Sequence, residues 1–160
     1  TVITNCSNNY GPFQAPEKLI PVTILNALEG KNIPIYGNGK QIRDWLYVYD
    51  HASAILRIAL DEVTGQTFNI GGLNEKQNIE VIIAICDILN KERPKNRCYQ
   101  EQMRFINDRP GHDLHYAIDA MKLKKYLAWQ PAETFETGLQ KTVKWYLSNM
   151  EWVQNMKNRL

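Results

Sequence analysis

Two arginines carry the most pointed chemistry in these 160 residues. Arg43 stands beside Asp44 at the head of the apolar run Trp45-Leu46-Tyr47-Val48. Arg109 lies in the polar tract Asp108-Arg109-Pro110-Gly111-His112-Asp113. A guanidinium presents a planar fork of donors that matches paired phosphate oxygens, and each charge-assisted bond is worth roughly 1.5–3 kcal/mol. Two such groups in loops beside sheet ends suit a diphosphate. The simpler reading of an isolated arginine is a local ion pair, here with Asp44 or Asp108. Lys18 and Asn8, in the first loop region, are further polar residues that packing alone does not demand. Tyr36, beside Pro34, offers a flat apolar face for a base, and an aromatic there also serves as plain packing.

Other apparent signals are weaker. Tyr36 and Lys40 have the Tyr-x-x-x-Lys spacing of an acid/base pair, but that chemistry needs both side chains on one helical face, and Gly37-Asn38-Gly39 reads as a turn. His112 and His115 are three apart with no third ligand in view, so a zinc site is not expected. Asn5-Cys6-Ser7 spells a glycosylation sequon inside an expected strand. Neither Gly-x-Gly-x-x-Gly nor Gly-x-x-x-x-Gly-Lys occurs, so the sequence has no dinucleotide fingerprint or phosphate loop of its own.

The elements that must position these residues alternate between strand and helix. Thr1 to Cys6 is β-branched and suits a buried strand, followed by turn chemistry from Asn8 to Pro12. Pro21 to Leu28 fits a helix stopped by Gly30, and Ile33 to Tyr36 a short strand. Trp45 to Val48 is a strand, after which Asp50 is the expected N-cap of a helix with Ala54, Ile55, Ile58 and Ala59 on one face. Thr67 to Ile70 is a strand closed by Gly71-Gly72, and Asn78 the expected cap of a helix with seam Ile82, Ile85, Cys86 and Leu89. Tyr99 to Ala117 has no periodicity and reads as loop. A short helix from Asp119 to Leu127 precedes a long amphipathic one with Leu139, Val143, Tyr146, Leu147 and Met150 on its face. The pattern predicts an α/β fold with parallel pairing.

Composition bounds the rest. Apolar residues at 44% and charged residues at 22% are those of a folded globular domain, and 160 residues suffice for one such unit. A net charge of +2 with interspersed signs names no partner; Lys91, Arg93, Lys95 and Arg97 are broken by Glu92 and Pro94, so no nucleic-acid patch is expected. No apolar run approaches the roughly 20 residues of a membrane span. Three cysteines without Cys-x-x-Cys spacing predict a reduced, cytoplasmic setting. The opening at Thr1, directly into Val2-Ile3, reads as a fragment.

Taken in order, Thr4-Asn5-Cys6-Ser7-Asn8-Asn9-Tyr10-Gly11-Pro12, Pro16-Glu17-Lys18-Leu19-Ile20-Pro21, Gln41-Ile42-Arg43-Asp44-Trp45-Leu46-Tyr47-Val48, Asn69-Ile70-Gly71-Gly72 and Asp108-Arg109-Pro110-Gly111-His112-Asp113 resemble the dTDP-glucose 4,6-dehydratases. These are extended short-chain dehydrogenases/reductases, and the resemblance spans nearly the whole chain. The first motif is shared with sugar epimerases; the Arg-Asp-Trp and Arg-Pro-Gly-His-Asp motifs together point to the one family.

The resemblance implies the last strands of a Rossmann sheet plus a small substrate-binding lobe, occupying residues 1–160, with the amino-terminal NAD-binding domain absent. It implies that Asn8 contacts the sugar nucleotide, and Asn9 the nicotinamide end of NAD. Lys18 and Leu19 would border diphosphate and sugar, Pro34, Ile35 and Tyr36 the thymine, and Asn78 the nucleoside. Arg43 and Arg109 would hold the diphosphate, with Asp108, Pro110, Gly111 and His112 completing the wall. The family's reaction oxidises C4 of dTDP-glucose by hydride transfer to NAD, eliminates water across C5 and C6, and returns the hydride to C6, so the bound cofactor is regenerated.

The family's Gly-rich loop, Tyr-x-x-x-Lys pair, Asp-Glu acid/base couple and dimer helices belong before Thr1. The chain alone is therefore expected to lack activity and the family's homodimer, and the strands at Thr1 to Cys6 and Thr67 to Ile70 to be left with uncovered apolar sides and edges. Two alternatives stay open: a free-standing nucleotide-sugar binding module, and part of a related UDP-sugar epimerase or decarboxylase.

Overall fold

The computed structural model describes residues 1–61 and 63–158. Two short parallel strand pairs flank a central four-stranded sheet. β1 (Ile3–Cys6) pairs with β5 (Thr67–Ile70), and β3 (Ile33–Tyr36) with β7 (Met103–Ile106). The central sheet is built on β4 (Ile42–Tyr47), which runs parallel to β2 (Asn8–Tyr10), antiparallel to β6 (Glu75–Gln77) and parallel to β8 (His115–Tyr116).

β4 also divides the core, because successive side chains of a strand point to opposite faces. Trp45 and Tyr47 enter a larger apolar cluster under α1 (Leu19–Glu29), α3 (Asn78–Glu92), α5 (Phe135–Ser148) and α6 (Met150–Lys157). Leu46 enters a smaller one between β5, α2 (Val48–Leu60) and α4 (Met121–Leu127). The expected seam of α3 is buried throughout, and Gly30 ends α1 with φ 72°, a conformation that costs a residue with a Cβ.

The α/β architecture with parallel pairing is as expected, and several local expectations are corrected. Asn8 to Tyr10 is a strand because β4 offers it a partner, and turn propensity yields to pairing. Within Tyr99 to Ala117, Tyr99–Gln102 form a 3-10 turn, and β7 and β8 follow. Their partners lie about 70 positions away, so the local sequence carries no periodicity to announce them. Asp50 lies inside the first turn of α2, not at its cap. Its carboxylate instead accepts from the amides of Ala132 (3.0 Å) and Glu133 (3.1 Å). Asn78 is the first residue of α3, and the cap is Gln77, in a reciprocal capping box with Glu80.

The helix face on α2 is narrower than expected, with Ala54 and Ile58 buried but Ile55 and Ala59 exposed. The long carboxyl-terminal helix breaks at Asn149, and Met150 starts the next one exposed. β1 is not buried: Ile3 is 57% exposed on an open edge. β5 departs from the expectation on its apolar side, although among the described residues β1 is its one strand partner and its other edge stays unpaired. Phe68 and Ile70 are fully buried because α2 and α4 cover that side. No described helix is long and apolar enough to cross a membrane.

Candidate functional site

The tract from Asp108 to Asp113 is fastened at both ends to the start of β4. At its head, the Asp108 carboxylate accepts on Oδ2 from Gln41 Nε2 at 2.7 Å. On Oδ1 it accepts from the Arg109 amide at 2.9 Å and stands 2.6 Å from His112 Nδ1. An ionised carboxylate only accepts, so His112 Nδ1 carries the proton. The bond to His112, with those to Arg109 and Gln41, holds the Asp108 carboxyl below the usual carboxylate range. Gly37, at φ 57°, makes room for this group: a Cβ there would stand 2.8 Å from Asp108 Oδ2.

At the tail of the tract, Arg43 Nη2 donates to the Asp113 carbonyl at 2.8 Å and Nη1 to that of its neighbour Ile42 at 2.7 Å. Arg43 lies within β4, not in a loop before it, and is only 8% exposed. The ion pairs weighed for the two arginines do not form. Asp44 commits both oxygens to backbone amides, Gly72 at 2.9 Å and Asn74 at 2.8 Å, and Asp108 is occupied as above. Among the described residues, neither Arg43 nor Arg109 has a carboxylate within ion-pair distance, although nine other pairs form. A buried guanidinium satisfied only by carbonyl oxygens favours an anion beside it.

Other expected site residues cluster around Gln41. Tyr36, 42% exposed at the end of β3, offers its carbonyl to Gln41 Nε2 at 3.3 Å, and the Asn78 amide donates to the Gln41 carbonyl at 3.0 Å. Pro34 is half-buried and Ile35 lies in the main core, so Ile35 can meet a ligand only through its backbone. Arg109, Pro110 and Gly111 are exposed on the loop, while the His112 side chain is largely covered. His115 joins Glu75 at 2.7 Å, away from His112, and no group of three metal-ligating side chains occurs among the described residues.

Asn8 stands opposite Trp45, two residues along β4 from Arg43. Asn9 turns its amide nitrogen to Cys6 Sγ (3.2 Å) and the Ser7 carbonyl (3.1 Å), leaves Oδ1 buried without a partner, and lines a separate hollow of about 330 Å³ with Gln14 and Tyr49. Lys18, at the N-cap of α1, is exposed beside Glu17 at 3.6 Å, and Leu19 packs against the main core. Gln41 and Gly37 had no role assigned from the sequence. A glutamine between a two-glycine turn and a strand was the available signal.

The sequence model of the GDP-mannose 4,6 dehydratase family matches residues 1–142. The chain belongs to this family. Within it, the chain is 60% identical over 158 residues to dTDP-glucose 4,6-dehydratase 1 of Escherichia coli, covering 99% of this chain and 44% of that protein. The crystal structure of the Bacillus anthracis dTDP-glucose 4,6-dehydratase in complex with NAD matches with a TM-score of 0.86 and 48% identity, over 97% of this chain and 47% of that one. The Streptomyces venezuelae enzyme, also with NAD bound, matches at 0.88 and 37%, over 97% and 46%. The chain thus shares the α/β architecture of extended short-chain dehydrogenases and spans just under half the length of the dehydratases it matches.

Proposed function

We propose that residues 1–160 are the nucleotide-sugar-binding region of an NAD-dependent dTDP-glucose 4,6-dehydratase, a lyase. The NAD-binding domain and the catalytic groups lie outside these residues. The observation that carries this reading is the buried Arg43 guanidinium with no described carboxylate against it, beside a loop that presents a second arginine, Arg109. These two groups hold the diphosphate. Asp108, Pro110, Gly111 and His112 form the adjoining wall, and Lys18 and Leu19 border diphosphate and sugar. The thymine lies against Tyr36 and the backbone of Pro34 and Ile35, with Asn78 on the nucleoside side. Asn8 faces the sugar, and by fixing it from several directions the chain orients the ring for chemistry done elsewhere.

The buried, unpartnered Oδ1 of Asn9 is an acceptor that fits the carboxamide of a nicotinamide, so this residue would touch the cofactor. NAD, when bound, supplies the hydride acceptor and donor. The three free cysteines, Cys6, Cys86 and Cys98, accord with a cytoplasmic enzyme.

Calorimetric titration of the chain with dTDP and with UDP tests the reading. Binding of dTDP in preference to UDP is expected, with loss in Arg43→Ala and Arg109→Ala. Preference for UDP, or full affinity in both variants, counts against it. Incubated with dTDP-glucose and NAD, the 160 residues alone are expected to yield no 4-keto product.

A further inference from the structure

Gln41 sits where two parts of the proposed site meet. The residue is only 1% exposed, and its amide orientation is fixed because both groups facing Nε2 are acceptors: the Asp108 carboxylate at 2.7 Å and the Tyr36 carbonyl at 3.3 Å. Turning the amide would set its oxygen against both. The remaining oxygen, Oε1, is buried without a partner, a cost tolerated for the sake of the two bonds on the other side. Through its backbone carbonyl the same residue also holds the amide of Asn78. Tyr36 and Asn78 belong to the proposed base and nucleoside subsite, and Asp108 carries the loop that projects Arg109.

We propose that Gln41 is a positioning residue that couples the base subsite to the diphosphate clamp, and that it sets the pose of Arg109 through Asp108. The inference rests on the dTDP-sugar reading above. The Gln41 side chain is out of reach of solvent and acts through Tyr36 and Asp108. Charge at Asp108 matters less to this role than a donor facing an acceptor. The polarity of the pair can therefore be exchanged. With Gln41→Glu and Asp108→Asn made together, one donor again faces one acceptor between these two side chains, now in the opposite sense, while the Tyr36 carbonyl loses its donor. The side-chain oxygen retained at position 108 still accepts from the Arg109 amide and His112.

The test is a double-substitution cycle read by dTDP and thymidine affinity. Gln41→Glu puts two carboxylates face to face. It is expected to weaken dTDP binding roughly tenfold or more, the scale of one lost charge-assisted bond, and thymidine binding less. Asp108→Asn alone sets amide nitrogen against amide nitrogen and also weakens dTDP binding. The pair Gln41→Glu with Asp108→Asn is expected to recover the part of the loss that passes through Asp108, binding dTDP more tightly than Gln41→Glu alone, and not the part that passes through Tyr36. Retention of wild-type dTDP affinity by Gln41→Glu overturns the inference. So does failure of the double variant to recover while its thermal melt matches wild type, or equal losses for dTDP and thymidine. If the unsubstituted chain binds no dTDP, the functional reading fails and this inference with it; dTDP binding without rescue removes the inference alone.

Discussion

Arg43 Nη2 donates to the carbonyl of Asp113 at 2.8 Å, across a separation of 70 positions. The bond gives the guanidinium two tasks, fastening the tail of the loop and presenting its remaining donors. A lysine has the charge but a single ammonium in place of the fork. Arg43→Lys is expected to lower dTDP affinity by about tenfold, the scale of one bond to a charged group. It should also speed amide exchange through residues 109–113. Unchanged exchange there, measured by hydrogen–deuterium mass spectrometry, would show that Arg43 does not hold the loop.

Gly37 and Gly30 separate backbone cost from crowding. Both have positive φ, 57° and 72°, but a Cβ at Gly30 meets nothing within 4 Å whereas one at Gly37 meets Asp108 Oδ2 at 2.8 Å. Alanine at either is expected to lower stability by about 1 kcal/mol for the left-handed conformation. Only Gly37→Ala is expected to weaken dTDP binding as well. Thermal melts and titrations of the two variants side by side check this.

Asp44 is buried and its carboxylate closes the Gly72 to Asn74 turn through two amide bonds. Asp44→Asn keeps the shape but turns one acceptor into a donor facing an amide. A destabilisation of about 2 kcal/mol or more is expected by urea unfolding. Asp44→Asn without effect would mean that the turn is held by the remainder of its contacts.

Acid should loosen the loop through Asp108. Its carboxyl is held below the ordinary range chiefly by His112, so the native state favours the ionised form. The stability this contributes is fully present above the ordinary carboxylate pKa of roughly 4 and is lost as pH falls through the depressed native value. Loop order, followed by the exchange of residues 109–113 corrected for intrinsic rates, is expected to hold from neutrality to about pH 5 and fail below roughly pH 4. In Asp108→Asn that acid limb is expected to vanish.

Much of this arrangement was legible in the residues themselves. The seam of α3, the stop at Gly30 and the strand at Ile33 to Tyr36 follow from local spacing, and the structure reproduces them. What was not legible depends on distant partners. Met103 to Ile106 becomes a strand only because β3 lies alongside it. Asp50 has the composition of a cap for its own helix, yet it satisfies amides more than 80 positions away. At the site, the charge and fork of Arg43 and Arg109 could be read from residue type, but the carbonyl partners of Arg43 could not. Gln41 was hidden for a related reason, since an uncharged side chain gains meaning only from the two acceptors that the fold puts in front of it.

β4 takes its three partner strands from around positions 8, 75 and 115. Each pairing must close a long loop, an entropic debt incurred before any contact rewards it, and chains dominated by such pairings fold slowly. Arg43, Asp44 and Gln41 all belong to this strand or its approach, so the proposed anion site is expected to take shape late in folding, after helices built from neighbouring residues. A nucleotide that recognises only the finished site is expected to slow unfolding and to leave the early, helix-forming steps untouched.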